Sequence, residues 1–339
     1  MDFTEYLTYR AATLAARPDV LDAGETRIVH ALGHLRTPVE SLPVPEHAHR
    51  CHLAEFWLDH FGLDRSLKAR TLISQGVRHS LGLLFWQYAA QGLRVAIPRD
   101  VYPAYDVIAK AEGLKVLPYA TWPVSSLLTE LLCRNDAEQP DVILITNPLK
   151  PRVRRMSSQG EVRLLKDWLI KDARRRVVID AVYQFSAPFD APTLELLATN
   201  QVVLLHSLSK SWVRPLVMGV ALVPEADVEV LTPAFRAEPP LQDNLRLAQG
   251  LLTGDAQFPV RLVGELVARR ETLQERLEER GCLVRLSPEV PSYLFPTRIS
   301  HEELLADYNV LAIPASVFGS LLTNRSVLSS LAMPGAPAL

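Results

Sequence analysis

From residue 71 onward the chain alternates short, almost purely apolar runs with longer stretches whose apolar positions recur every three or four residues. "TLI" (71–73), "LRVAIP" (93–98), "LKVLPY" (114–119), "DVILIT" (141–146), "RRVVID" (175–180) and "QVVLLH" (201–206) read as strands. Between them, amphipathic stretches predict helices over 77–90, 103–112, 124–134 and 158–173. Strand, helix and strand in repetition require crossover connections, hence a mostly parallel sheet covered by helices. Strands this continuously apolar fit a sheet buried on both faces.

After "VMGVALVP" (217–224) the pattern changes. A charged amphipathic helix is predicted over 257–280, with Gly281 as its stop signal. "CLVRLS", "SYLFP", "HEELLADY" and "NVLAIP" then read as short strands and helices of a small α+β unit. The Pro-rich "TPVESLPVPEH" (37–47) reads as a linker and the tail "MPGAPAL" as frayed. The expected division is an N-terminal arm and linker over 1–47 that joins the small domain, a large α/β domain over 48–256, and a small domain over 257–339 led by its long helix.

Composition narrows the partners. A chain of 339 residues, 48% of them hydrophobic, can build more than one core. A net charge of −2 offers no basic face for nucleic acid and no acidic tail. No apolar run approaches the ~20 residues that cross a bilayer, and "MDFTEYLTYRAATLAARPDV" lacks a signal-peptide core. Cys51, Cys133 and Cys282 are too few and scattered for a disulfide framework or a zinc site, so a reducing cytoplasmic setting is expected. His47, His49 and His52 beside Cys51 suggest a metal cluster at first sight. Their place after a proline linker reads instead as a solvated helix entrance, and no metal is expected.

In parallel sheets ligands sit beyond the carboxyl ends of the strands. There the sequence places Gly76, Val77 and Arg78 at a helix start, where free N–H groups favour an anion. Next come Tyr102 and Tyr105 in "VYPAY", then "NPLKPRV", then Asp180 with Tyr183, and last Ser207, Ser209 and Lys210. One nucleophilic amine, one acid, aromatic rings and an anion cradle together suit a phosphorylated aromatic aldehyde. The lysine would form a Schiff base, the acid would keep a pyridine nitrogen protonated, and an aromatic side chain would stack on the ring. That describes pyridoxal 5'-phosphate.

In these motifs the chain resembles the fold-type I pyridoxal-phosphate enzymes, specifically the class I/II aminotransferase family, over roughly residues 50–330. "SLSK" is similar to the family's S-x-S-K, which implies Lys210 as the Schiff-base lysine and Ser207 as a phosphate ligand. Ser209 lies in the same motif. "DAVY" is similar to its D-x-x-Y, which implies Asp180 at the pyridine nitrogen and Tyr183 at the ring hydroxyl. "SQGVRHSL" resembles the phosphate loop, through the backbone of Gly76, Val77 and Arg78, and Tyr102 takes the ring-stacking place. "AIPASVFG" (312–319) is similar to a strand and turn of the small domain, and Arg325 then falls where the family grips the substrate α-carboxylate. The resemblance further implies a homodimer.

Two departures stand out. The family's N-P-x-N-P-T-G reads Asn147-Pro148-Leu149-Lys150-Pro151-Arg152-Val153, so Lys150 replaces the asparagine at the ring hydroxyl. Either Lys150 serves the cofactor, or it points to solvent and Asn147 shifts in to compensate. The arginine usual after the lysine motif is also missing, its place taken by Val217 or Met218. A phosphate dianion needs a cation. Arg214 is the expected substitute, with Arg78 as the rival. The reading is therefore a pyridoxal-phosphate enzyme acting on an amino acid or related amine, in the first place an aminotransferase. The alternatives are a lyase, decarboxylase or cyclase, and more distantly a non-catalytic cofactor sensor.

Overall fold

The computed structural model describes residues 1–101, 103–122, 131–135, 138–157, 159–215 and 217–335. Tyr102 and most of the helix expected over 124–134 lie outside them. The N-terminal segment forms α1 (Phe3–Ala16), β1 (Leu21–Asp22) and the single turn α2 (Ile28–Ala31). It is followed by α3 (Arg50–Phe61), β2 (Thr71–Ser74), α4 (Val77–Ala90), β3 (Arg94–Pro98), α5 (Ala104–Ala111) and β4 (Lys115–Tyr119). Then come β5 (Val142–Thr146), α6 (Glu161–Leu169), β6 (Arg176–Asp180), α7 (Ala191–Leu197), β7 (Val202–Ser207), α8 (Leu208–Ser211) and β8 (Gly219–Leu222).

These alternating elements build one seven-stranded sheet in the order β2-β8-β7-β6-β5-β3-β4. Its strands from β7 through β4 pair in parallel, whereas β8 lies antiparallel between β7 and β2. Every residue of β6, β7 and β8 is buried, as the unbroken apolar runs require. One face packs Trp57, Phe61 and Trp212 into the largest core, and the other packs Leu81, Phe85 and Tyr105 into a second. The fold is the expected α/β class.

Past the sheet run α9 (Val228–Ala237) and α10 (Gln242–Gly254), which the periodicity did not single out, and then the long α11 (Phe258–Glu279). Gly281 beyond it takes φ 72°, the left-handed stop. β9 (Leu294–Thr297), α12 (His301–Asp307), β10 (Val310–Leu311), β11 (Ile313–Pro314) and β12 (Ser326–Ser329) follow. A three-stranded sheet has the order β11-β12-β9, and β1 pairs in parallel with β10, which joins the N-terminal arm to the C-terminal segment.

The expected strand "CLVRLS" does not form. Its backbone is bonded by a side chain of α11 instead: Gln274 donates to Val284 O at 3.1 Å and accepts from Leu286 N–H at 2.9 Å. The Pro-rich 37–47 stretch is a strap laid on α10, where side chains at Gly250 or Gly254 would collide with Val44 or Pro43. Among the described residues no helix is long and apolar enough to cross a membrane.

Candidate active site

β8 sets the geometry of the first half of the site. Gly219 pairs with Ser74 on one side and Ser207 on the other, so the turns after β2 and β7 lie two strands apart, roughly 10 Å. A Cβ on Gly219 would sit 2.6 Å from the Cα of Gly76; only glycine lets the start of β8 approach the turn after β2 this closely. Gly76 itself has φ 152° and precedes α4 with no side chain capping its N–H groups. Ser74 and Ser80 clasp this turn, their hydroxyls 2.7 Å apart. Val77 is buried, and Arg78 is exposed and already in polar contact.

Across that gap, Ser207 caps α8: its Oγ accepts the Ser209 N–H at 3.1 Å and donates to Met218 O at 3.2 Å. Lys210 lies in this one-turn helix, half-buried, with no hydrogen-bond or ion-pair partner for Nζ among the described residues. Burial pulls its ammonium below the ordinary lysine value. Such an amine is nearer to its nucleophilic form than a solvated one.

Asp180 ends β6, buried, in register with Leu205 of β7 and Thr146 of β5. One carboxylate oxygen accepts the Tyr105 hydroxyl at 2.7 Å and the other the Val182 N–H at 2.9 Å. Burial pushes its carboxyl above the ordinary range, while these two bonds pull it back. It has no ion-pair partner among the described residues. Tyr105, which the sequence placed at a strand end without a role of its own, is thus the residue that orients Asp180. Its place after β3, which like β6 flanks β5, was the available signal.

Lys150 is 5% exposed, so the solvent-facing alternative fails. Its Nζ donates to Pro291 O at 3.1 Å and lies 5.7 Å from the ring centre of Tyr183. Burial, helped by Arg155, lowers its value to about 7. Tyr183 meets Tyr293, hydroxyl to hydroxyl, at 3.4 Å, so the segment 291–293 closes over this side of the site.

Two expected site residues are engaged elsewhere. The Asn147 amide donates to both Asp190 oxygens at 2.9 and 3.0 Å and to Thr193 at 2.8 Å, and accepts from Met156 N–H at 3.2 Å. With every polar atom used on the scaffold, Asn147 cannot shift in for the replaced asparagine. Arg214 donates to Thr37 O on the N-terminal arm rather than turning toward a phosphate place. Arg325 is half-buried after the small-domain turn, and its Nε is a buried donor with no partner among the described residues.

The model of the aminotransferase class I and II family matches residues 26–241, more than half of the chain. The chain is 26% identical over 268 residues to histidinol-phosphate aminotransferase 1 of Archaeoglobus fulgidus, covering 78% of this chain and 77% of that one. Among solved structures it resembles an aminotransferase from Mycobacterium tuberculosis, with TM-score 0.68 and 18% identity over 97% of this chain and 92% of that one. It also resembles the L-threonine-O-3-phosphate decarboxylase of Porphyromonas gingivalis, with TM-score 0.62 and 17% identity over 91% and 94% of the two chains. At these identities the two structures attest to the fold alone.

Proposed function

The chain belongs to the aminotransferase class I and II family of pyridoxal-phosphate-dependent enzymes, and from that premise we propose that it transfers the amino group of an amino acid by means of a cofactor held on Lys210. The observation that carries this reading is a half-buried lysine with no polar partner among the described residues, next in the fold to a buried acid with no cation among them. The residues fit pyridoxal 5'-phosphate. A cationic ring nitrogen would supply Asp180 with its missing counter-charge. The open space where a Gly76 side chain would stand, with the uncapped start of α4, would admit a phosphate.

When bound, the cofactor supplies an aldehyde carbon to amines and an aromatic ring that takes up electron density from the substrate's α-carbon. The protein does the rest. Lys210 holds the cofactor and then moves the proton at the α-carbon. Asp180, fixed by Tyr105, keeps the ring nitrogen protonated. The backbone of Gly76, Val77 and Arg78, with Ser207 and Ser209, holds the phosphate, and Arg78 is the better placed cation now that Arg214 is tied to the arm. Tyr183 and Lys150 would hydrogen-bond the ring oxygen, and Arg325 would take the substrate carboxylate. Tyr102 keeps its proposed stacking role. The domain division over 1–47, 48–256 and 257–339 and a cytoplasmic homodimer belong to the same proposal.

Decarboxylation is the second reading, because the same arrangement leaves the choice of bond to the substrate's orientation. The test is to load the purified protein with pyridoxal phosphate, reduce one portion with borohydride and map the label, and screen amino acids on an unreduced portion for loss of the visible band with identification of the products. A label on Lys210 with a 2-oxo acid product is expected. A protein that takes up no cofactor, or a label on Lys150, sinks the reading; an amine and carbon dioxide as products replace transfer by decarboxylation. Light scattering on the same sample measures the assembly, where a stable active monomer would exclude the dimer.

A further inference from the structure

The turn that follows Lys210 is closed in an unusual way. The Val213 N–H bonds Lys210 O at 3.3 Å and the Arg214 N–H bonds Ser209 O at 2.9 Å, the double closure of a helix end that normally carries glycine. Here the left-handed residue is Val213, at φ 53° and fully buried. A β-branched side chain is a true outlier there, and such strain persists only where surroundings impose it.

The surroundings are the N-terminal arm, 177 residues away in sequence. Arg36 Nε donates to Val213 O at 2.6 Å, and the same guanidinium donates to Val29 O within the arm. Arg214 returns the tie by donating to Thr37 O. Thr37 Oγ1 is in turn 2.5 Å from Asp255, whose own carbonyl accepts the Trp212 Nε1–H at 3.0 Å. Gly33 leaves room for the guanidinium: a Cβ there would stand 3.1 Å from Arg36 Nη2. The two carbonyls that close the lysine's helix, those of Ser209 and Lys210, are therefore held by two residues that the arm grips.

We propose that Arg36 is a positioning residue for Lys210: by clamping the strained Val213 turn, the docked N-terminal arm sets where the lysine amine points. The proposal rests on the reading of Lys210 as the cofactor lysine. It predicts that arm and turn are coupled, and that glycine at 213 uncouples them, since glycine adopts the left-handed conformation without help.

The experiment compares the parent, Arg36→Ala, Arg36→Lys, Val213→Gly and the Arg36→Ala/Val213→Gly pair as cofactor-loaded enzymes. Visible circular dichroism of the bound cofactor and the rate of borohydride trapping on Lys210 are measured beside kcat and KM. Arg36→Ala should slow trapping about tenfold, the scale of one released backbone strain, and alter the dichroism. It should lower kcat with little change in KM. The trapping loss should shrink to less than about threefold in the Val213→Gly background, and Arg36→Lys should recover part of it. Unchanged dichroism and trapping in Arg36→Ala, or equal losses in both backgrounds, overturn the proposal.

Should Arg36→Ala not fold, Arg214→Ala opens the other tie alone and should shift the dichroism in the same direction. Weakened cofactor affinity with unaltered dichroism at saturation would instead give Arg214 to the phosphate and overturn the clamp. A parent that traps no cofactor would refute the underlying reading rather than this one.

Discussion

Two turns of this molecule carry a lysine at the carboxyl end of a buried strand, and both place a valine three residues later in the left-handed region. Lys150 follows β5 with Val153 at φ 57°, and Lys210 follows β7 with Val213 at φ 53°. Each valine carbonyl accepts a bond from a remote segment: Val153 O from Glu289 N–H at 3.1 Å, Val213 O from Arg36. The turns differ in what the amine meets. Lys150 is bonded to Pro291 O and lies beside the Tyr183 ring, whereas Lys210 has no polar partner among the described residues. Burial alone lowers a lysine's pKa, so both amines are depressed. The two amines therefore differ in their hydrogen bonding and not in the direction of their pKa shift, and the proposed covalent role goes to Lys210, the amine without a polar partner among the described residues.

The strongest way to break this contrast is to remove each amine in turn. Lys210→Ala should cut turnover by about 10²–10⁴-fold, the scale of a lost proton-transfer group, and abolish borohydride labelling. Lys150→Ala should keep the label on Lys210. Peptide mapping of the label decides, and a reversed result exchanges the roles of the two turns.

A smaller effect separates the turns by pH. In the cofactor-free protein Lys150 holds its proton only up to about 7, against 10.5 for an ordinary lysine. Below about 7 both folded and unfolded chains are protonated and the full cost of burying the charge is present. Between the two values the unfolded chain binds more protons, so stability should climb as pH rises. Lys150→Met should flatten that climb and stabilise the protein near neutrality, which guanidinium midpoints at about pH 7 and about pH 9 would measure. A variant that climbs as steeply as the parent would mean that Lys150 stays charged in the fold.

The smallest expected effect sharpens the contrast with a cation that belongs to neither turn. Arg325 is fit to grip a carboxylate with two parallel bonds, which a lysine cannot reproduce. Arg325→Lys should raise the KM for the amino acid severalfold and leave cofactor capture by Lys210 unchanged. Unaltered kinetics would move the carboxylate to another cation, Lys150 included.

Much of the fold was legible because its signals are local. The helix expected over 77–90 is α4 to the residue, and each strand expected between 71 and 206 falls within a residue or two of its place. Unbroken apolar runs announced a doubly covered sheet, and the chemistry-bearing residues lie just past each run. The misses share a different cause. Cys282 to Ser287 had a strand's composition, yet its backbone bonds went to Gln274, and nothing in the run itself shows that.

The sequence by itself determined that a lysine, an acid, serines and a glycine-led helix start would gather at one sheet edge, since strand ends follow from short-range periodicity and crossover connections turn parallel strands the same way. It also determined that Lys150 departs from the family's pattern and that the arginine usual after the lysine motif is missing, its place taken by Val217 or Met218. What those departures do was decided only by tertiary structure. Lys150 finds Pro291 across 141 residues and Arg36 finds Val213 across 177. Such pairings depend on which donors and acceptors are left over once the cores have packed, and a buried polar group must take whichever partner then lies within about 3 Å.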